Sequence, residues 1–165
     1  MTLQNVTVRI STGEDIPYIV SWLSDPEILC WFPLDNTREI EEAARLWVGY
    51  SIHESSYTAC SDGIPCGTAV LYLSQYKKLK HQALFAIIVD KNFRSRGIGT
   101  KIFERLKKDA KEKFHLEFLH LEVYEGNPAQ SLYKRLGFQE YGRQDQFLKE
   151  RDGTYRNKIN MQLEL

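Results

Sequence analysis

Residues 83–100 read Ala-Leu-Phe-Ala-Ile-Ile-Val-Asp-Lys-Asn-Phe-Arg-Ser-Arg-Gly-Ile-Gly-Thr. The opening run, residues 83–89, is apolar at every position and too short for a buried helix, so it reads as a central strand covered on both faces. Residues 90–99 form a loop rich in Gly and Arg. Residues 100–114 then place Ile102, Leu106, Ala110 and Phe114 four apart, the apolar stripe of an amphipathic helix. A further strand is predicted at residues 119–123. Strand, helix and strand make a crossover, so the two strands run parallel and the connection is right-handed. Gly97 and Gly99 let the backbone approach a ligand closely. The N–H groups of residues 96–100 open the helix without partners inside it. With the helix dipole they form a site suited to a diphosphate, and Arg94 and Arg96 add positive charge. The phosphate-loop pattern GxxxxGK[ST] is absent, and only the first GxG of the dinucleotide fingerprint GxGxxG is present.

The flanking sequence supplies the rest of a mixed sheet. Val6, Val8 and Ile10 alternate with polar residues, a half-buried strand. Ser11 or Thr12 caps a helix with Asp15 in its first turn and Ile16, Ile19, Val20 and Leu23 on one face. Asp25-Pro26 ends that helix, and an aromatic loop follows, Cys30-Trp31-Phe32-Pro33. Thr37 starts a second helix with Ile40, Ala43, Ala44, Trp47 and Val48 inward; Trp22 and Trp47 read as core. Residues 57–60 and 67–73 are strands of a hairpin turning at Asp62-Gly63. Residues 76–81 are a basic, solvated loop. Asn127-Pro128 opens a short helix that ends near Gly137. Two last strands, near residues 139–149 and 154–163, are joined by a turn at Asp152-Gly153. The order is β-α-α-β-β-β-α-β-α-β-β, which predicts an α/β mixed sheet with helices on its faces and one domain over residues 1–165.

Composition bounds the partners. Lys and Arg equal Asp and Glu at 22 each, a formal net charge of zero, so the chain lacks the basic excess of a dedicated nucleic-acid binder. Cys30, Cys60 and Cys66 form no CxxC pair. They read as reduced thiols rather than a disulfide framework or a zinc site. The histidines show no HExxH or other ligand spacing, so no metal is expected. No apolar stretch reaches the ~20 residues a membrane helix needs, and the opening MTLQNVTVRI has neither a basic start nor an apolar signal core. The expectation is a cytoplasmic protein, monomer or homodimer, with no nucleic-acid or membrane partner.

Arg94-x-x-Gly97-x-Gly99 after a buried strand resembles the acetyl-CoA signature, Q/R-x-x-G-x-G/A, of the GNAT superfamily of N-acetyltransferases. About thirty residues on, Leu121-Glu122-Val123-Tyr124-Glu125-Gly126-Asn127-Pro128-Ala129-Gln130-Ser131-Leu132-Tyr133-Lys134-Arg135-Leu136-Gly137-Phe138 is similar to the second block of that family: a strand, then Asn, Ala, Leu-Tyr and Gly-Phe. The opening Val8-Arg9-Ile10, the stretch Trp22-Leu23-Ser24-Asp25-Pro26-Glu27 and the closing Asp152-Gly153-Thr154-Tyr155 also fit, so the resemblance spans essentially the whole chain. It leans toward the branch holding ribosomal-protein-alanine and polyamine acetyltransferases. It implies the GNAT fold: about seven strands, mostly antiparallel, with a central splayed parallel pair and helices on both faces.

The resemblance also implies a site. Acetyl-CoA, the cosubstrate, is expected between the two parallel strands, with Ile87, Ile88 and Val89 pairing its pantetheine arm and Arg94, Ser95, Arg96, Gly97, Ile98, Gly99 and Thr100 around its diphosphate. Val89 N–H is expected to face the thioester oxygen. Asn127 contacts the cofactor by resemblance, and it also reads as a helix cap. Tyr133 matches the family position of the acid that protonates the departing thiolate, and it also reads as packing between helix and sheet. Many relatives carry a Glu base on the central strand; residues 83–89 hold no acid. Glu122 on the neighbouring strand is the substitute, against a reading in which it pairs with a nearby Lys or Arg; Glu125 and His120 follow behind it. Trp31, Phe32, Asp35 and Glu39 are expected to receive the substrate, a small amine or a peptide N-terminus. The rival reading is a sensor of the same fold that holds acyl-CoA without turnover.

Overall fold

The computed structural model describes residues 5–165; the reading of residues 1–4 lies outside these. Strands β1 (Val6–Ile10), β2 (Ser56–Ser61), β3 (Ile64–Leu73), β4 (Gln82–Val89), β5 (Phe118–Tyr124), β6 (Gln139–Lys149) and β7 (Tyr155–Glu164) form one seven-stranded sheet in the order β1-β2-β3-β4-β5-β7-β6. Among the described residues only β4 and β5 pair in parallel, as a crossover demands; the other neighbours are antiparallel. The helices are α1 (Ile16–Leu23), α2 (Pro26–Leu29), α3 (Thr37–Gly49), α4 (Ile98–Glu112) and α5 (Ala129–Arg135). None is long and apolar enough to cross a membrane.

The unbroken apolar run of β4 has its reason in two cores. Ala83, Phe85, Ile87 and Val89 face the cluster built with Ile98, Ile102, Phe103 and Leu106 of α4. Ala86 and Ile88 face the opposite cluster, where α1 and α3 contribute Ile19, Leu23, Ile40, Trp22 and Trp47. Burying one large apolar side chain is worth about 1.5–3 kcal/mol, against a few tenths per residue for helix propensity. Packing therefore sets where α4 lies. Gly67 of β3 makes that packing close: a Cβ there would fall 2.9 Å from Ile102 Cδ1 and 3.0 Å from Ile88 O. The free thiols of Cys60 and Cys66 are buried, and burial pushes Cys66 up to about 11.

Several local expectations change in detail. The first helix is preceded by a 3-10 turn at Gly13–Asp15, and Asp15, which accepts from Thr12 N–H, is buried. Burial alone would raise its carboxyl. The Arg9 guanidinium at 2.8 Å on both oxygens, Thr12 N–H and Thr58 Oγ1 outweigh that and hold it below its ordinary value. Asp25-Pro26 follows the end of the first helix as expected, but a helical turn precedes the aromatic loop: Asp25 Oδ1 accepts from Glu27 N–H at 3.0 Å, and Pro26, suited to a first helical position, starts the single turn α2. The long middle helix begins at Ile98, not at residue 100, because Gly97 takes the left-handed conformation (φ +74°) and Ile98 is already buried.

One irregularity decides the function of the sheet. The β4–β5 ladder holds at Gln82↔Phe118, Ala83↔Leu119 and Leu84↔His120 and then ends. β4 stays paired with β3 as far as Gly67↔Val89, and β5 stays paired with β7 as far as Tyr124↔Lys158. The sheet therefore parts down its middle while each half remains hydrogen-bonded.

Candidate active site

A cleft of about 590 Å³ opens where the strands part. Asp90 N–H donates to Cys66 O at 2.9 Å, and Ile88 lies opposite Thr68 in the same ladder. Backbone groups alternate sides along a strand, so the N–H and C=O of Ile87 and Val89 turn away from β3 and into the gap. Ile88 borders the same cleft with its own backbone turned to β3. The gap thus presents a free strand edge to an extended ligand.

At one end the cleft meets the start of α4. Ser95 (φ +59°) and Gly97 (φ +74°) are both left-handed, which folds residues 94–98 into a concave run of amides. The first N–H groups of α4 have no intrahelical acceptor, and its first turn holds no acid. Arg94, Ser95, Gly97, Ile98, Gly99 and Thr100 all border the cleft. Arg96 does not; its guanidinium lies over the Phe93 ring at 5.3 Å. Asp90, the nearest acid in sequence, is held off by Asn92 N–H at 2.9 Å and Trp22 Nε1 at 3.2 Å.

The same cleft is bordered by groups that can move protons. Tyr133 stacks edge-on against Phe85 at 6.0 Å and Phe138 at 6.1 Å. Its ring is buried, and its hydroxyl, which no group among the described residues engages, opens on the cleft. Burial pushes the phenol up to about 12, so it stays protonated at neutral pH. Asn127 Oδ1 accepts from Ala129 N–H at 2.9 Å, so the residue caps the short helix while bordering the cleft. Glu122 borders it too, and Lys158 Nζ donates to its Oε1 at 2.9 Å. Oε2 keeps no partner among the described residues. The ion pair and the open position therefore coexist. Burial lowers His120 on the same face of β5, with Glu122 opposing that shift. Glu125 lies outside the cleft, bound by Asn157 Nδ2 at 2.9 Å and by Arg143, which hold its carboxyl below the ordinary range.

The acceptor-side expectations divide. Trp31 and Phe32 border the cleft, joined by Ile28 of α2. Asp35 and Glu39 do not. Glu39 Oε2 accepts from Asp35 N–H at 2.6 Å, and the Asp35 carboxylate takes Arg151 Nε at 2.5 Å and Nη2 at 2.8 Å. Sequence reasoning did not single out Lys158 or Arg156. Its one available signal was the alternation in β7, with Arg156, Lys158, Asn160 and Gln162 on one face and Ile159, Met161 and Leu163 on the other.

The family described as Acetyltransferase (GNAT) family matches residues 16–138. The L-amino acid N-acetyltransferase AaaT of Escherichia coli (strain K12) is 23% identical over 142 residues, 83% of this chain and 85% of that protein. The structure of ribosomal-protein-alanine N-acetyltransferase from Brucella melitensis superimposes with TM-score 0.83 at 21% identity, covering 96% of this chain and 99% of that one. The structure of yncA from Salmonella typhimurium with its cofactor acetyl-CoA gives TM-score 0.82 at 18% identity, over 98% and 95% of the two chains. At such identities the structural likeness establishes the fold.

Proposed function

The chain belongs to the GNAT acetyltransferase family and is an acetyl-CoA-dependent N-acetyltransferase, and from that premise we propose that it acetylates a primary amine entering over the face of β5 and β7 that carries Glu122. The observation that carries this is the parted β4–β5 edge, which puts Ile87 and Val89, the amides of α4 and the Tyr133 hydroxyl on one cleft. That the relatives are named for amino acids and a ribosomal-protein alanine is consistent with an amine acceptor.

When bound, acetyl-CoA supplies the acetyl group as a thioester. The open amides at residues 97–100 and the Arg94 guanidinium suit its diphosphate. The free edge of Ile87 and Val89 suits its extended arm. An ammonium acceptor must lose a proton before it can attack. Glu122 Oε2, directly or through one water, takes that proton. The nitrogen bonds to the acetyl carbon as the carbon–sulfur bond breaks. Val89 N–H stabilises charge growing on the carbonyl oxygen, a contribution of ~10²–10³ in rate for one such donor. Tyr133 gives its proton to the sulfur, and the second proton of the nitrogen restores the phenol through solvent. Each positioned acid or base contributes ~10²–10⁴.

The test is turnover read as free-thiol release with a panel of primary amines, beside calorimetry with CoA. Saturable CoA binding with amine-dependent thiol release is expected. Binding without release from any amine would leave the sensor reading in its place.

A further inference from the structure

The loop at residues 30–36 and the end of the β6–β7 hairpin at residues 150–156 are far apart in sequence, and two contacts join them. Arg151 grips Asp35 with Nε on Oδ1 at 2.5 Å and Nη2 on Oδ2 at 2.8 Å, and adds the Asp35 carbonyl at 3.2 Å. The Arg156 guanidinium lies over the Trp31 ring at 5.1 Å, and its Nε binds Glu150 Oε1 at 2.8 Å. Arg156 shares the face of β7 with Lys158, so Trp31 is held against the sheet face on which Glu122 lies.

Both ends of the bridge are built in advance. Asn36 Oδ1 caps Glu39 N–H at 3.0 Å, and Glu39 returns to Asp35 N–H at 2.6 Å. Across the gap, Asp152 Oδ1 takes Thr154 N–H at 2.9 Å and Oγ1 at 2.6 Å, and Gly153 is left-handed (φ +87°). A forked Arg–carboxylate pair is directional, but this one is exposed, with side-chain exposures of 76% for Arg151 and 54% for Asp35. Exposed pairs are weak and open readily. Such a contact is a poor stabiliser of the fold and a suitable latch.

On the acceptor reading above, we propose that Asp35–Arg151 and Trp31–Arg156 latch the acceptor mouth and so favour small free amines over peptide N-termini. Trp31 borders the cleft and lies under Arg156, so a peptide attached to the same amine would extend past residues 30–36 and 150–156, where the latch lies, while a free amino acid would not.

The experiment compares each free L-amino acid with a peptide carrying that residue at its N-terminus. Wild type, Arg151→Ala and the charge-swapped double variant Asp35→Arg/Arg151→Asp are used, all checked for wild-type melting. Wild type is expected to favour the free amine by ~10-fold or more in kcat/KM. Arg151→Ala is expected to raise the peptide-to-free-amine ratio by about 2- to 5-fold, the most an exposed pair can hold back, and the swap to return it toward wild type. A wild type that takes peptides as well as free amines, or a ratio that Arg151→Ala leaves unmoved, overturns the latch. Hydrogen exchange on the CoA-bound protein gives a readout independent of turnover. Arg151→Ala should speed exchange in residues 30–36 and 150–154 together; unchanged exchange at 30–36 overturns the latch. Coupled exchange without transfer to any amine would instead sink the acceptor reading and leave the latch standing.

Discussion

Tyr133 and Glu122 reach the same cleft from different supports, and their variants should fail differently. Tyr133 is fixed by aromatic stacking on Phe85 and Phe138. Tyr133→Phe keeps that packing and removes only the hydroxyl that opens on the cleft. Turnover should fall by about 10²-fold, with CoA affinity held within roughly threefold by calorimetry; full turnover would reduce the residue to packing. Glu122 is held through Oε1 by Lys158. Glu122→Gln retains an acceptor for Lys158 and loses the base. Its kcat/KM should then climb with pH along the ionisation of the amine itself, at ~8–10 for an α- or side-chain amine, while wild type follows a flatter profile. Two superimposable profiles would remove Glu122 from the mechanism.

Helix α4 is placed by glycines with distinct duties. Gly97 is left-handed, and nothing lies within 4 Å of a Cβ built on it. Gly97→Ala therefore meets strain and no clash, ~1–2 kcal/mol for a non-glycine residue in that region. Gly99 needs no unusual φ, and a Cβ there would only touch Leu132 Cδ2 at 3.6 Å and Val89 Cγ2 at 3.7 Å. Gly67 is the tight position, since a Cβ would press on Ile88 O, a backbone atom that cannot turn aside. Gly67→Ala should cost about 1–3 kcal/mol and shift α4 from β3, so both the melting temperature and the gain on adding CoA should drop. Gly97→Ala should lose less stability and a larger share of the CoA-induced gain. Equal losses in both readouts for the two variants would separate the helix start from CoA binding.

For the molecule as a whole, buried phenols set the alkaline limit. Burial pushes Tyr124 and Tyr133 up to about 12. Burial raises Tyr57 and Tyr72 further, with Asp109 adding to the shift at Tyr57 and Tyr50 at Tyr72. In the unfolded chain these groups ionise near ~10, so above that pH the folded state holds more protons and stability falls as pH rises. Their contribution is complete below pH ~10 and is lost from there upward through the folded values. Urea midpoints should decline above pH ~10, with the tyrosinate absorbance of these four phenols appearing only as the chain unfolds. A full tyrosinate titration near pH ~10 in protein that stays folded would contradict it.

The chain's own pattern was enough for most of the elements and for the glycine-rich start of α4. Strand β4, the crossover and the loop into α4 are written in residues 83–100, because alternation, helical spacing and glycine sterics act between near neighbours. The same locality explains why α2 and the 3-10 turn before α1 were missed: a single capped turn differs from a loop by one or two hydrogen bonds. The resemblance implied a splayed parallel pair but could not say where the ladder ends. The end of the β4–β5 ladder after Leu84↔His120, the Lys158 that grips Glu122 and the Arg151 that reaches Asp35 are matters of register and packing between distant segments. Such contacts form only when the whole sheet closes, so folding, and no local pattern, placed Glu122 at the cleft and joined Asp35 to Arg151.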